Sequence, residues 1–197
     1  MGLATTLTYD WLTLRGGYFS SEVTLPDENF DPLAAGWDAV GYPIIADHTR
    51  IVEDTGNFIE LGFQINLDAI IVVGEYTQLE LQNTPIATDD SYYIMAGYQL
   101  DKVLLHLTYG VDESMADNYT TSVSYDLTDP ASPINVLKGT TEFIIDSQKS
   151  ETNYVTAGVR YDFHDSAALK VEYTTYTDDL NSNGDAGLFR VALVTVF

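Results

Sequence analysis

The stretch GVRYDFHDSAALKVEY, from Gly158 to Tyr173, decides the fold class. In its first half Val159, Tyr161 and Phe163 alternate with polar residues, and apolar and charged residues alternate again after the central Asp165. A period of two residues is typical of a β-strand with one apolar and one polar flank. An Asp between two such segments indicates a tight turn. The stretch therefore predicts a β-hairpin with two chemically different faces.

The same unit recurs along the chain. GFQINLDAIIVVGEY (Gly62 to Tyr76) and GYQLDKVLLHLTY (Gly97 to Tyr109) have Asp in the turn and Tyr after it, and TYDWLTLRGGY (Thr8 to Tyr18) keeps both features. Segments of about ten residues are long enough to cross a bilayer as tilted strands. About nine strands are predicted. They start near Leu3, Trp11, Phe58, Ile70, Tyr92, Val103, Tyr154, Ala167 and Leu188.

Short turns alternate with long polar connections, which are predicted at 24–56, 82–90, 111–152 and 178–187. Tight turns at one end and long loops at the other are typical of transmembrane barrels. The sequence thus predicts an all-β fold, an antiparallel up-and-down transmembrane β-barrel, with residues 1–197 forming a single barrel segment. Because bacterial single-chain barrels have even strand counts, an odd count indicates that further strands precede Leu3.

Composition excludes several other classes of protein. A formal net charge of −22 with only 8 Lys and Arg argues against nucleic acid as a partner, because phosphate binding needs clustered cations. The absence of Cys excludes disulfide scaffolds and thiolate metal sites. A mean hydropathy near zero is expected when lipid-facing and lumen-facing residues alternate. The three His residues belong to no triad motif, so the sequence predicts that the chain is not an enzyme.

The last segment, GLFRVALVTVF from Gly187 to Phe197, alternates apolar residues on one face and stops on an aromatic residue. Together with the hairpin from Gly158 to Tyr173, it resembles the carboxy-terminal half of Gram-negative outer-membrane porins of about sixteen strands. The resemblance implies the bacterial outer membrane, a channel for passive diffusion of small hydrophilic solutes or ions, and frequent assembly into homotrimers. It also implies that the barrel-assembly machinery reads Phe197. Such porins are longer and carry their constriction loop in the other half.

Two other functions stay open at this stage. A barrel of about eight strands is filled by its own side chains, whereas sixteen to eighteen strands leave an aqueous channel. A small closed outer-membrane barrel with a structural or adhesive role is therefore one alternative. A soluble β-sandwich that serves as a binding module is the other, since it too contains alternating strands.

Alternation predicts a charged lining for the lumen. The residues assigned to it are Arg15, Glu60, Glu75, His106, Arg160, Asp162, Lys170, Glu172 and Arg190. Basic and acidic rows on a pore wall would set up a transverse field that sorts solutes by charge. The alternative role for the same residues is ordinary cross-strand salt bridging inside a filled barrel.

Tyrosines recur near the strand ends on the apolar flank. Those predicted to form an aromatic girdle are Tyr9, Tyr18, Tyr76, Tyr98, Tyr109, Tyr161 and Tyr173. A Tyr ring suits the membrane interface, where the ring lies in the apolar zone and its hydroxyl reaches water. Packing in a soluble core would instead bury these hydroxyls against protein.

The loop DDLNSNGD begins at Asp178 and resembles the first half of a calcium loop. The ligands would be Asp179, Asn181, Asn183 and Asp185. The twelfth position is Arg190 where such loops need a bidentate Glu, which favours a plain polar hairpin loop. Calcium is the only cofactor that the sequence suggests. The acidic residues of the longest loops could attract cations or bridge through divalent ions to lipopolysaccharide. Lipopolysaccharide and the lipid bilayer are therefore the expected partners.

The loop 24–56 also contains apolar residues, among them Trp37, Tyr42, Ile44 and Ile45. A loop that is fully surrounded by water is not expected to contain several large apolar side chains. We therefore expect this loop to fold inward or to pack over its neighbours.

Overall fold

The computed structural model describes residues 1–25, 30–180 and 184–195, and its regular structure is dominated by one β-sheet. Within those residues nine antiparallel strands pair in chain order, each with its neighbours in sequence. The strands are β1 (Gly2–Tyr9), β2 (Leu12–Val23), β3 (Asp54–Leu67), β4 (Ile70–Leu81), β5 (Thr88–Leu100), β6 (Val103–Met115), β7 (Ser150–His164), β8 (Ala167–Asp178) and β9 (Ala186–Thr195). The predicted all-β, up-and-down antiparallel architecture is confirmed.

Tight turns join the strands in hairpins at one end of the sheet. The turn residues are Asp10–Trp11, Asp68–Ala69, Asp101–Lys102 and Asp165–Ser166. The first residue of three turns has a positive φ, 46° at Asp10, 49° at Asp68 and 52° at Asp101. Asp tolerates this left-handed conformation better than most residues, which explains why it recurs at the same place in the repeated unit.

The long connections lie at the opposite end of the sheet, at 24–53, 82–87, 116–149 and 179–185. They are shorter than the predicted ranges because the strands extend further at this end. For example, β3 begins at Asp54 and β7 at Ser150, so polar residues that look like loop in the sequence continue the pairing of the sheet.

The two longest connections contain helices, which the sequence analysis did not predict. They are α1 (Phe30–Ala39), α2 (Pro43–Thr49) and α3 (Pro133–Ser147). Proline occupies the first turn of α2 and of α3, where its missing N–H costs no helical hydrogen bond. In the part of the chain that the structure describes, no helix is both long enough and apolar enough to cross a membrane.

Residues 30–53 and 116–149 pack together into a unit that we call the helical cap. Its buried core consists of Leu33, Ala34, Trp37, Ile45, Ala46 and Val123. The Trp37 ring packs edge-on against Tyr42, and its Nε1 donates a hydrogen bond to the Thr141 hydroxyl at 3.0 Å. Residues 30–53 thus pack over their neighbours, as expected from the apolar residues of this loop. Gln148 joins the cap to loop 82–87, because its side chain accepts from the Ala87 N–H and donates to the Pro85 carbonyl.

The two faces of the sheet differ in chemistry. The outer face exposes a wide set of large apolar side chains, among them Leu7, Leu14, Leu61, Ile94, Leu105, Leu107, Val159, Leu169 and Val191. A β-sandwich would cover such a face with a second sheet. The described strands form a single sheet instead, so the sandwich alternative was wrong.

The opposite, inner face is the concave one. Val73 on β4 and Val194 on β9 line the same pocket although four strands lie between them, so the sheet curves toward this side. The curvature does not close the sheet on itself, because in the described residues β1 pairs only with β2 and β9 pairs only with β8. The described strands therefore do not form the small closed barrel that the sequence analysis kept as an alternative.

Candidate pore-lining site

The strand register places every predicted lumen residue except Asp162 on the inner face. Asp162 falls in a register shift between Tyr161 and His164 and is assigned to this face by its ion pair with Arg160. Cross-strand partners point to the same side of a sheet, and one such row runs through Gly97, His106, Gly158, Glu172 and Arg190. Counting by twos along each strand from rows of this kind assigns the others. On the inner face lie Arg15, Glu60, Glu75, His106, Arg160, Asp162, Lys170, Glu172 and Arg190. Their role as the lining of a pore stays a prediction.

A glycine allows His106 and Glu172 to meet across an intervening strand. His106 on β6 and Glu172 on β8 are both cross-strand partners of Gly158 on β7. A Cβ atom at Gly158 would overlap the imidazole of His106 and crowd the Glu172 side chain. Because that atom is missing, His106 Nε2 lies 3.5 Å from Glu172 Oε1. The pair is therefore held over bare backbone, and its side chains are only 6% and 12% exposed.

Glu172 is the centre of a charged cluster on β7, β8 and β9. Lys170 Nζ lies 2.8 Å from its Oε1, and an Arg190 guanidinium nitrogen lies 3.7 Å from its Oε2. Nearer the turns, Arg160 Nε donates a hydrogen bond to Asp162 Oδ1 at 2.8 Å. The side chains of Lys170, Arg190 and Arg160 are far more exposed than that of Glu172. Their positive groups therefore face the open space before the inner face, whereas the Glu172 carboxylate lies closer to the sheet.

Acidic residues mark the other side of the inner face. Glu60 on β3 and Glu75 on β4 lie there with one cation, Arg15 on β2. The Tyr93 hydroxyl donates a hydrogen bond to Glu75 Oε2 at 3.4 Å. Among the predicted lumen residues, cations thus predominate on β7–β9 and carboxylates on β3 and β4. Toward the loops, the register also puts Asp89, Asp112 and Asp178 on the inner face.

The sequence analysis did not single out two uncharged rows on the inner face. Nearer the loops, the register aligns Tyr93, Gly110, Tyr154 and Tyr176 in one row. The Tyr154 ring lies over Gly110, and its centre is 5.9 Å from that of Tyr176. Next comes a row of threonines, in which the buried hydroxyls of Thr156 and Thr174 are 2.7 Å apart. Polar alternation was the signal that could have revealed both rows.

The predicted girdle tyrosines all lie on the outer face by register, in two groups according to their position along the strands. Tyr9, Tyr98 and Tyr161 lie near the tight turns, and Tyr18, Tyr76, Tyr109 and Tyr173 lie nearer the loops on their own strands. Three hydroxyls of the loop-side group donate to polar side chains, namely Tyr18 to Asn57, Tyr109 to Asn153 and Tyr76 to Asp90. Tyr92, the cross-strand partner of Tyr76, also lies on this face and was not predicted. Tyrosine rings in the apolar zone, with their hydroxyls bonded to polar groups on the loop side, are the arrangement expected at a membrane interface.

A buried lysine organises the electrostatics of the helical cap. Lys138 Nζ donates to the carbonyls of Thr120 and Val123 at 3.0 and 2.8 Å and lies 3.2 Å from Glu142 Oε1. The Tyr125 hydroxyl donates to Glu142 Oε2 at 2.5 Å. This hydrogen bond, with smaller contributions from Lys138 and neighbouring groups, holds the pKa of Glu142 below its usual range.

We expect the cap to loosen in acid. A carboxyl whose pKa is lowered by folding stabilises the folded state above its unfolded pKa of about 4.3, and that contribution is lost as the pH falls through the lower folded value. Hydrogen exchange of α3, corrected for the intrinsic rate, should therefore accelerate below about pH 4. Glu142→Gln should show faster exchange already at pH 7 and a smaller acid effect. Asp146→Asn on the same helix is the matched control, and an equal change in that variant would contradict the prediction.

The predicted calcium ligands lie partly outside the described residues. Asn181 and Asn183 fall there, as does Phe197, the predicted assembly signal. Asp185 Oδ1 accepts the backbone N–H of Asp178, and Asp179 accepts from the Asn153 side chain. Over 1–25, 30–180 and 184–195, no group of three or more His, Asp or Glu side chains is placed to hold a metal.

Comparisons with known proteins agree with this architecture. Residues 1–182 match the family model described as Gram-negative porin. No curated protein matches the chain significantly. Among solved structures, it is similar to OmpT (in-vitro folded), an outer membrane protein of Vibrio cholerae, with 16% identity and a TM-score of 0.49. That match covers 99% of this chain and 50% of the other, so this chain spans about half of that length. The chain belongs to the Gram-negative porin family and is a β-barrel protein of the bacterial outer membrane.

Proposed function

We propose that the chain forms part of a water-filled pore through which small hydrophilic solutes and ions diffuse passively. The observation that carries this proposal is the division of the sheet into an exposed apolar outer face and a charged inner face. Of the charged residues assigned to the lumen, all lie on the inner face, and the large apolar side chains on the opposite side suit contact with acyl chains.

We also propose that this sheet is the carboxy-terminal half of a barrel of about sixteen strands. With nine alternating strands, β1 and β9 run in the same direction and cannot pair with each other as antiparallel neighbours. An open strand edge in hydrocarbon leaves backbone groups without hydrogen bonds, at several kcal/mol each. An odd number of further strands between β9 and β1 would satisfy both edges with antiparallel pairing throughout.

The uneven distribution of charge on the inner face supports selection of solutes by charge. Arg160 and Arg190 are about half exposed on β7 and β9, and Glu60 and Glu75 lie on β3 and β4. Fixed charges lining a narrow pore bias the permeation of ions of opposite sign. The inner face of β7–β9 would therefore favour the permeation of anions over that of cations.

Ion selectivity in planar bilayers tests this function. In the variant with both Arg160→Gln and Arg190→Gln, the anion-to-cation permeability ratio should fall by about fivefold per charge, since one charge at about 4 Å in water contributes about 1 kcal/mol. Lys149→Gln in the helical cap is the control for charge alone. Stepwise conductance with unchanged selectivity would mean that the charged residues of the inner face serve only as cross-strand salt bridges. Complete absence of conductance would favour a structural or adhesive role.

The proposal gives the histidines no catalytic role and requires no cofactor. His106 lies beside Glu172 on the inner face, and His48 packs against Tyr119 in the cap. His164 Nδ1 accepts the backbone N–H of Ser166 within a tight turn, which is a local turn contact. As partners we propose lipopolysaccharide around the loop end, the barrel-assembly machinery and two further copies of the protein in a trimer.

A further inference from the structure

A pocket of about 530 Å³ on the inner face brings cationic, aromatic and apolar groups together. Lys170 and Arg190 lie on one side of it, Tyr154 lies toward the loops, and Leu104 and Met95 supply apolar walls. Charged side chains alone are sufficient to attract or repel ions. A pocket that also offers aromatic and apolar surface suits a solute with both an ionic group and an apolar body.

We propose that this pocket binds small organic carboxylates that carry a flat apolar body, as aromatic acids do. The inference rests on the proposed pore and adds to it the class of solute that the wall prefers. The carboxylate would lie against Lys170 and Arg190, and the body would lie against Tyr154.

The charge balance of the pocket favours an anion. The pocket is lined by three cations, Arg160, Lys170 and Arg190, and by one carboxylate, Glu172. Outside the lining, Asp162 pairs with Arg160, and Asp112 acts electrostatically on Tyr154 toward the loops. Glu172 is only 12% exposed, while the cation side chains are 38% to 50% exposed. A solute therefore meets cationic groups first. Charge-assisted hydrogen bonds from Lys and Arg are the strong contacts that carboxylates make in proteins.

The floor of the pocket contains an unused polar group. The His106 side chain, which is only 6% exposed, lines the pocket together with Glu172. Its Nδ1 makes no hydrogen bond with any residue that the structure describes. Buried polar atoms are normally satisfied by protein, water or ligand, so a bound carboxylate or its water shell would complete this site.

Arg190 links the cationic and the aromatic parts. Its guanidinium reaches toward the loops and lies 3.5 Å from the Thr174 hydroxyl, in the row next to that of Tyr154 and Tyr176. A carboxylate on Arg190 would therefore place its ring near two tyrosine rings. Aromatic pairs attract each other beyond what the area they bury contributes, which separates a ring-bearing acid from a small one.

Fluorine NMR titration of the detergent-solubilised full protein tests this inference. The probes are 4-fluorobenzoate, 4-fluorobenzyl alcohol, which lacks the charge, and trifluoroacetate, which lacks the ring. We expect 4-fluorobenzoate to bind about tenfold more tightly than either other probe. Arg190→Gln and Lys170→Gln should each weaken its binding by about tenfold, whereas Lys149→Gln should leave it unchanged.

Two results would overturn the inference: equal binding of all three probes, or wild-type affinity in both Arg190→Gln and Lys170→Gln. Conductance is recorded separately on the same preparations. Because the titration needs no ion flow, missing conductance with intact binding would count against the pore alone. Normal conductance with no preference for 4-fluorobenzoate would count against the carboxylate site alone.

Discussion

Replacing Leu107 by Arg is expected to destabilise the barrel by about 2–4 kcal/mol, the range for a cation near the middle of a lipid-facing belt. Leu107 is on the outer face of β6, 56% exposed, between Tyr109 on the same strand and Leu105, the cross-strand partner of Tyr98. In lipid the guanidinium would lose its hydration without gaining a partner. Equilibrium unfolding by guanidinium chloride in lipid vesicles measures the difference.

The matched control is Met115→Arg on the same strand and the same face. Met115 is similarly exposed, at 53%, but it ends β6 well beyond Tyr109 on the loop side, where the charge can reach water. A cation near the interface costs only about 0–1 kcal/mol. Equal destabilisation by the two variants, or none by Leu107→Arg, would contradict the assignment of the outer face to lipid.

Replacing Trp37 by Ala is expected to open the helical cap, at a cost of about 3–5 kcal/mol. Trp37 is fully buried at 0% exposure and is the largest side chain in the cap core. The substitution removes its packing against Tyr42 and the hydrogen bond to Thr141. Protease cleavage within 116–149 should become much faster while heat-resistant barrel structure, followed by circular dichroism, stays unchanged.

Two variants check that this effect belongs to the cap core. Trp11→Ala makes the same change in a tight turn at the other end of the sheet, where the side chain is partly exposed, and should leave cleavage of 116–149 unchanged. Trp37→Phe keeps most of the packing and loses only the Nε1 hydrogen bond, so its effect should be smaller. Slow cleavage in Trp37→Ala would show that the cap does not depend on this core.

The sheet could be predicted because its signal is local. In a segment such as Val155 to Tyr161, each residue's face depends only on odd or even position, and lipid favours apolar residues at the outer positions. The repeated Asp similarly marks each tight turn. The strand ends were less accurate toward the loops, because residues beyond the membrane are polar whether they pair in the sheet or not.

The cap could not be predicted in the same way, because its core joins segments far apart in the chain. Trp37 and Thr141 meet only after β3 to β6 have been folded between them. Helix α1 contains Gly36 in its interior, which disfavours a helix in isolation. Only α3 carried a local signal, since Ser132 precedes Pro133 and apolar residues then recur at helical spacing.

The candidate site was predictable in part. Alternation was sufficient to put Arg160, Lys170 and Glu172 on one face, and the register agrees. It could not reveal which charges touch, because the distance from Glu172 to His106 depends on the missing side chain at Gly158 between them. The tyrosine row was overlooked for a similar reason, since Tyr93, Tyr154 and Tyr176 become neighbours only through pairing of four strands.

The bare backbone at Gly158 constrains how the barrel can evolve. Position 158 can acquire a side chain only if the imidazole at position 106 moves, because a Cβ atom at 158 would overlap its Nε2 and Cε1. If position 106 first changes to a small residue, that overlap is gone and only the crowding against the Glu172 side chain remains. The order of the two substitutions therefore decides whether glycine at position 158 can be replaced during evolution. Among related sequences, those in which both positions have changed should outnumber those with a change at 158 alone.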